Sequence, residues 1–293
     1  EILQHTDVAL YKEHEANNPY SVNLDLVYHN APVALFFNLT SLDPVWNEVA
    51  QKKEFRHAIN AAIDLEEIIQ VLFLGMGKVN PWIPEKFDPE RAAALLDEAG
   101  LDKKDADGWR LGPDGNRFEF KLDVALDPLW VKPGEVIKSR LEEIGIYVPM
   151  KSMEPTLWTQ IRNANELKAT IDWLDDCNWP FLKNDYLPEQ RCLWAQEWEK
   201  YMKSNGAEGE EPADWMQKLY EFETRLVATA ANTDEGQQIW EELQAWLTEY
   251  VPMIPLARDV ADPLIVPDKI GNMAKSGRSS AVWFSQEQVF FKK

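Results

Sequence analysis

Three aspartates and two tryptophans lie close together in the sequence, and their types suit the chemistry of carbohydrates. Asp172, Asp175 and Asp176 surround Trp173, and Trp179 follows three residues later. Paired carboxylates can supply the acid and the nucleophile of glycoside hydrolysis, and indole rings stack on sugar rings. The same residue types line non-catalytic sugar and amine sites, and 50 acidic residues in one chain produce such clusters by chance. The cluster therefore favours a binding site, with a carboxylate-dependent, glycoside-hydrolase-like enzyme as the alternative.

Thirteen tryptophans are many for 293 residues, and several stand outside helical patterns. An indole offers a flat apolar face and one N–H donor, so it can stack on a ligand and fix its orientation. We expect Trp82, Trp173, Trp179 and Trp194 to contact a ligand. Asn38, at the end of a buried strand, is the polar candidate. The tryptophans at helix-compatible positions are assigned to the core.

Common catalytic and cofactor motifs are missing from the sequence. There is no G-x-S-x-G turn for a nucleophilic serine, and the four histidines have no metal-ligand spacing. Gly75-Met76-Gly77 follows a helix and lacks the third glycine of a dinucleotide loop. The sequence thus predicts no enzyme, no cofactor and no metal site.

Composition limits the partners and leaves the cysteine chemistry open. The net charge of −20 repels nucleic acid and anionic lipid. The sequence contains no run of about 18 apolar residues, the length that a membrane-spanning helix needs. Cys177 and Cys192 could form a disulfide in an oxidising compartment, or they could be two unrelated buried thiols. The chain begins with Glu1, which we interpret as the sign of an excised domain or a processed product.

Turn and capping signals divide the chain into alternating elements. Asp43, Asp64 and Asp88 are predicted N-caps, the first and third followed by proline at the first helical position. Glu67 is the predicted capping-box partner of Asp64. The pattern further predicts a strand over 33–39, a hairpin over 108–125, a helix over 134–144, a strand beginning at 146–148, a helix over 156–163, a strand over 169–173 and helices over 212–230 and 234–250. Segments 1–30 and 174–211 are predicted to be irregular, and the strand–helix–strand rhythm indicates an α/β fold.

Several blocks then occur in the order typical of one protein family. Residues 55–64, followed by Glu67 and Ile68, resemble the F/V-R-x-A signature region of the family 5 extracellular solute-binding proteins. Residues 87–101, 105–115 and 141–146 continue the resemblance, which covers roughly 33–270. Members of that family bind dipeptides, oligopeptides, nickel or oligosaccharides for ABC importers.

The resemblance implies a fold and a division of the chain. Members have two α/β lobes that close on a ligand like a Venus flytrap, and this chain corresponds to the C-terminal lobe of a type II periplasmic-binding-protein-like fold, with a mixed sheet and packed helices. On this basis residues 1–30 lead in from the first lobe, residues 31–256 form the ligand-binding lobe, and residues 257–293 are terminal strands that return toward the first lobe.

The resemblance also implies a site. The family segment G-W-x-x-D-x-x-D-P corresponds to residues 172–180, and Asp176 falls on the aspartate that holds the α-amine of peptide ligands. Asp172 replaces the glycine and Trp179 replaces the second aspartate, so an oligosaccharide or another uncharged ligand is expected ahead of an oligopeptide.

The implied protein is a monomeric, extracytoplasmic binding component, periplasmic or lipid-anchored, which delivers its small-molecule ligand to the permease subunits of an ABC transporter. A protein-interaction module that reuses the fold is a further alternative.

Overall fold

The chain folds into a mixed α/β structure, described here from a computed structural model. The model describes residues 7–27, 31–174, 186, 192–230, 232–261, 263–273, 276–278 and 289–292. No helix in this part of the chain is both long and apolar enough to cross a bilayer.

Helices and strands alternate through the central part of the chain. The helices are α1 (Val8–Glu15), α2 (Pro44–Ala50), α3 (Lys53–Ala62), α4 (Leu65–Phe73), α5 (Pro89–Glu98), α6 (Pro128–Glu143), α7 (Pro155–Asn163), α8 (Gln196–Lys203), α9 (Asp214–Ala228) and α10 (Asp234–Tyr250). The strands are β1 (Tyr20–Asn23), β2 (Asp25–Val27), β3 (Ala31–Phe37), β4 (Leu122–Ala125), β5 (Met150–Met153), β6 (Ala169–Leu174), β7 (Met253–Ala257), β8 (Leu264–Pro267), β9 (Ile270–Gly271), β10 (Ser276–Arg278) and β11 (Phe290–Phe291).

A five-stranded sheet in the order β5-β4-β6-β3-β7 forms the centre of the fold. Strand β4 is parallel to β5 and β6, whereas β3 is antiparallel to both of its neighbours, β6 and β7. Consecutive residues along β3 and β7 are buried, which means that both faces of these strands are covered. Helices therefore pack on both sides of the sheet, and the predicted α/β fold with a mixed sheet is confirmed.

The three predicted N-caps begin their helices. Carboxylate oxygens of Asp43, Asp64 and Asp88 each accept the backbone N–H three residues later at 2.9 Å. The second hydrogen bond of the predicted capping box, from the Asp64 backbone N–H to the Glu67 side chain, is replaced by an ion pair. The Glu67 carboxylate accepts from Arg140 Nη2 of α6 at 2.6 Å. The first turn of α4 is thereby joined to α6.

Other boundaries differ from the prediction. Helix α6 begins at Pro128, six residues earlier than predicted, because Asp127 caps it through the Leu129 amide at 2.8 Å. The strand expected at 146–148 becomes regular only at Met150, and Tyr147 forms a single bridge to Glu119. The predicted hairpin is reduced to isolated bridges around its turn. Helices α1 and α8 lie in segments predicted to be irregular.

The segments at the two ends of the described chain pair with each other. Strand β1 pairs with β8 and β2 pairs with β10, whereas β9 and β11 pair within the C-terminal segment, each pair as a two-stranded sheet. Leu264 and Val266 form a small apolar cluster separate from the main core, with Ile270 and Met273 against it. This arrangement agrees with a lobe at residues 31–256 flanked by terminal segments, and that division stays a prediction.

Candidate functional site

The carboxyl ends of three parallel strands create one edge of the sheet where a ligand could lie. Strands β4, β5 and β6 share a direction, so the residues that follow them meet at the same edge. Open α/β sheets commonly bind ligands outside the carboxyl ends of their strands, because the connecting loops leave a crevice there. We call this the carboxyl edge and define it by Leu126, Trp130, Leu157 and Trp173.

Large apolar side chains are exposed along this edge. Leu126 follows β4 and is 56% exposed, Leu157 lies in the first turn after β5 and is 42% exposed, and Trp173 in β6 is 47% exposed. Soluble proteins expose single apolar residues often, but a series at the ends of neighbouring strands is typical of a surface that binds something.

The indole of Trp173 packs against the ring of a buried tryptophan, Trp130. Trp130, in the first turn of α6, is buried, and its ring meets that of Trp173 edge to face, with centroids 5.9 Å apart and planes at 64°. The backbone N–H of Trp173 donates to Asp172 Oδ1 at 2.9 Å. A buried aromatic partner limits the motion of a partly exposed indole and fixes the orientation of its ring. Trp173 can thus serve as a preoriented platform for a sugar or an apolar side chain.

The other predicted site residues lie elsewhere or outside the described residues. Asn38 and Trp194 are buried at the opposite edge, because Asn38 follows the carboxyl end of the antiparallel strand β3 and the Trp194 carbonyl accepts the Leu39 amide at 2.7 Å. Asn38 Nδ2 donates to Asn165 Oδ1 and to the Leu167 carbonyl, both at 2.7 Å. The structure therefore does not bring these two residues together with Trp173.

Trp82 is buried beside α10, and Thr248 Oγ1 donates to its carbonyl at 2.8 Å. Asp175, Asp176, Cys177 and Trp179 lie outside the described residues, so their roles stay predictions.

The cysteine alternatives remain open. Cys192 is buried, its Sγ accepts the Ala195 amide at 3.1 Å, and its own amide donates to Glu199 Oε2 at 3.0 Å. Because Cys177 falls outside the described residues, the predicted pairing of the two thiols stays a prediction.

Leu126 and Leu157 were not among the predicted site residues. A signal for both exists in the sequence, since Leu126 stands between β4 and the Pro128 start of α6, and Leu157 stands two residues after the Pro155 start of α7. That position places a side chain at the carboxyl edge of a parallel sheet.

Comparison with known proteins assigns the family. The family model described as bacterial extracellular solute-binding proteins, family 5 Middle, matches residues 3–181. The chain belongs to this family. A probable ABC transporter-binding protein from Deinococcus radiodurans is 24% identical over 147 residues, which are 45% of this chain and 25% of that protein.

Solved structures of other binding proteins share the fold. The oligopeptide-binding protein OppA aligns with a TM-score of 0.76 and 21% identity over 98% of this chain and 51% of its own length. The periplasmic binding protein MelB from Agrobacterium fabrum, solved with stachyose, gives a TM-score of 0.69 and 16% identity over 92% of this chain and 44% of its own. The family 5 chain thus spans about half the length of these binding proteins, or less.

Proposed function

We propose that this chain is the C-terminal lobe of an extracytoplasmic solute-binding protein that captures a ligand for an ABC importer, and that the carboxyl edge is its ligand-binding face. Family membership supports solute binding. The observation that carries the choice of face is the exposed indole of Trp173, fixed by Trp130, at the carboxyl ends of the parallel strands. A ligand held there would be covered by the other lobe, and the closed form would gain contacts to both lobes.

We propose an oligosaccharide or an oligopeptide as the ligand, with an uncharged ligand preferred. The indole of Trp173 suits a sugar ring, and Leu126, which follows the neighbouring strand β4, suits an apolar group. MelB was solved with stachyose, and OppA is named for oligopeptides, so the fold is compatible with both classes. No step of this proposal breaks a bond in the ligand.

Binding can be tested with Trp173→Leu in the full-length protein. Isothermal titration against a panel of oligosaccharides and oligopeptides should show one-to-one binding. The substitution should weaken that binding about tenfold or more, because it removes the flat aromatic face on which a sugar ring or an apolar group would stack. Trp109→Leu is the matched control, since Trp109 packs on Tyr147 at the turn before β4 with centroids 5.6 Å apart. Equal affinity for parent and Trp173→Leu would show that the carboxyl edge is not the ligand face.

Asp176→Asn separates the ligand classes and the enzyme alternative. A carboxylate that holds an α-amine gives a charge-assisted hydrogen bond. This substitution should therefore weaken the binding of oligopeptides and leave the binding of oligosaccharides nearly unchanged. Chromatography of the ligand before and after incubation should recover it intact. Product that forms with the parent and not with Asp176→Asn would establish a hydrolase instead.

A further inference from the structure

A small cavity lies between the loop after α4 and helix α10, and it shares no residue with the carboxyl edge. Its volume is about 50 Å³, and it is lined by Asn80, Pro81, Trp82, Trp240, Leu243, Gln244, Leu247 and Arg258. A water molecule occupies about 30 Å³ in the liquid, so a cavity of this size suits one small guest. Leucine, proline and indole side chains supply the apolar part of its wall.

Two buried N–H donors of the lining have no acceptor among the described residues. They are Nδ2 of Asn80 and Nε1 of Trp82, and both side chains are more than nine-tenths buried. The orientation of the Asn80 amide is set by its Oδ1, which accepts the Trp82 backbone N–H at 3.4 Å. An unsatisfied buried donor costs roughly 1–3 kcal/mol, so two donors in one cavity call for an acceptor inside it.

The charge of the lining selects the kind of acceptor. Arg258 brings a guanidinium whose Nε lies 3.8 Å from Asp259 Oδ1 outside the lining, and none of the described residues that line the cavity is acidic. Arg258 is fixed at this place because its backbone N–H and carbonyl exchange hydrogen bonds with Lys78, both at 2.8 Å. A site with N–H donors and a cationic side chain disfavours a metal cation and favours an anion, which needs only donors around it.

We propose that this cavity binds one halide ion, chloride under physiological conditions, through Asn80 Nδ2, Trp82 Nε1 and the positive potential of Arg258. The ion would join the loop at 78–83 to α10 and to the residue after β7. The proposal is independent of the ligand that the carboxyl edge takes, because the cavity shares no residue with that edge.

Thermal unfolding in different sodium salts tests the site. At equal ionic strength, chloride and bromide should raise the melting temperature in a saturable manner, and gluconate, which exceeds the cavity, should not. Trp82→Phe keeps the ring and removes the donor, and it should weaken halide binding about tenfold. Asn80→Asp, which places a carboxylate in the cavity, should abolish it.

Trp246→Phe is the matched control, because the Trp246 indole already donates to the Trp215 carbonyl at 2.9 Å. This variant should keep the halide effect. Crystals of the parent grown in bromide should show an anomalous peak between Asn80 and Trp82. The same melting temperature in halide and gluconate, an unchanged halide dependence in Trp82→Phe, or water alone in the cavity would each overturn the proposal.

Discussion

The guanidinium of Arg56 lies inside the core, and it forms no ion pair with a carboxylate among the described residues. Nε donates to the Tyr250 carbonyl at 2.8 Å, Nη1 donates to the Ala50 carbonyl at 2.7 Å, and the group lies over the Trp215 ring at 5.4 Å. Burial lowers the pKa of Arg56 to about 9. The charge is tolerated because planar N–H groups reach two carbonyls and an aromatic face together, which a lysine ammonium cannot reproduce.

Replacement of Arg56 should therefore destabilise the protein. We expect Arg56→Lys and Arg56→Met each to lower the free energy of unfolding by about 2–4 kcal/mol, since both leave buried carbonyls without donors. Chemical denaturation measures this difference. An Arg56→Met variant as stable as the parent would show that the hydrogen bonds of the guanidinium do no more than offset its desolvation.

The lowered pKa of Arg56 predicts how the difference in the free energy of unfolding between the parent and Arg56→Met depends on pH. Below pH about 9 both the folded and the unfolded chain keep the proton on Arg56, so the difference between parent and Arg56→Met should be constant from pH 6 to 8. Above pH 9 the folded state releases the proton before the unfolded state does, so the contribution of Arg56 to stability should rise. Denaturation at several pH values checks the sign, and a decrease above pH 9 would contradict it.

At the level of elements, local signals in the sequence determine where helices begin, whereas the placement of candidate site residues depends on the order and direction of the strands. The Asp-Pro and Asp-Leu starts of α2, α4 and α5 were predictable, because a cap is made by residues within four positions of each other. Trp173 was predicted from its family segment. Asn38 was assigned to the site because it ends a strand, yet β3 runs antiparallel to β6, so its end lies at the opposite edge. The order and direction of strands depend on long-range pairing, which the sequence pattern does not show.

Helix α8, which the sequence pattern missed, is completed by a glycine turn. Gly209 has φ of +80°, and a Cβ there would lie 2.2 Å from the Glu197 carbonyl oxygen and 2.7 Å from the Tyr201 nitrogen. Both neighbours are backbone atoms of α8, so they cannot move aside without distorting the helix.

Gly209→Ala and Gly108→Ala form a matched pair for this turn. Gly108 also has positive φ, at +90°, but nothing lies within 4 Å of a Cβ there. The cost of a left-handed backbone is about 1–2 kcal/mol for both, and only Gly209→Ala should lose more, because it adds the backbone clash. Thermal and chemical denaturation of the two variants measure the difference. Equal losses would mean that α8 shifts freely to admit the methyl group.

For the whole molecule, the strands near the two ends of the described chain should be less stable than the central sheet. Strands β1 and β8 form a two-stranded sheet whose buried apolar residues, Leu264 and Val266 of β8, make only a small cluster. Strands β3 and β7, in contrast, lie in the main core with both faces covered. An isolated pair of strands is marginally stable in water, because it buries too little apolar surface to offset the loss of chain entropy.

Hydrogen exchange with mass spectrometry can measure that difference and connect it to function. Amides of 20–23 and 264–266 should exchange at a lower free energy of opening than those of 33–37 and the non-proline residues of 253–257, since local stability follows local burial. If the terminal strands return toward a first lobe, as the family implies, a longer protein that contains that lobe should protect 20–23 and 264–266 further. The central strands are the internal control and should change little. Equal protection of both sets in this chain would show that the terminal strands belong to the same cooperative unit as the central sheet, and would remove the reason to place them against a separate lobe.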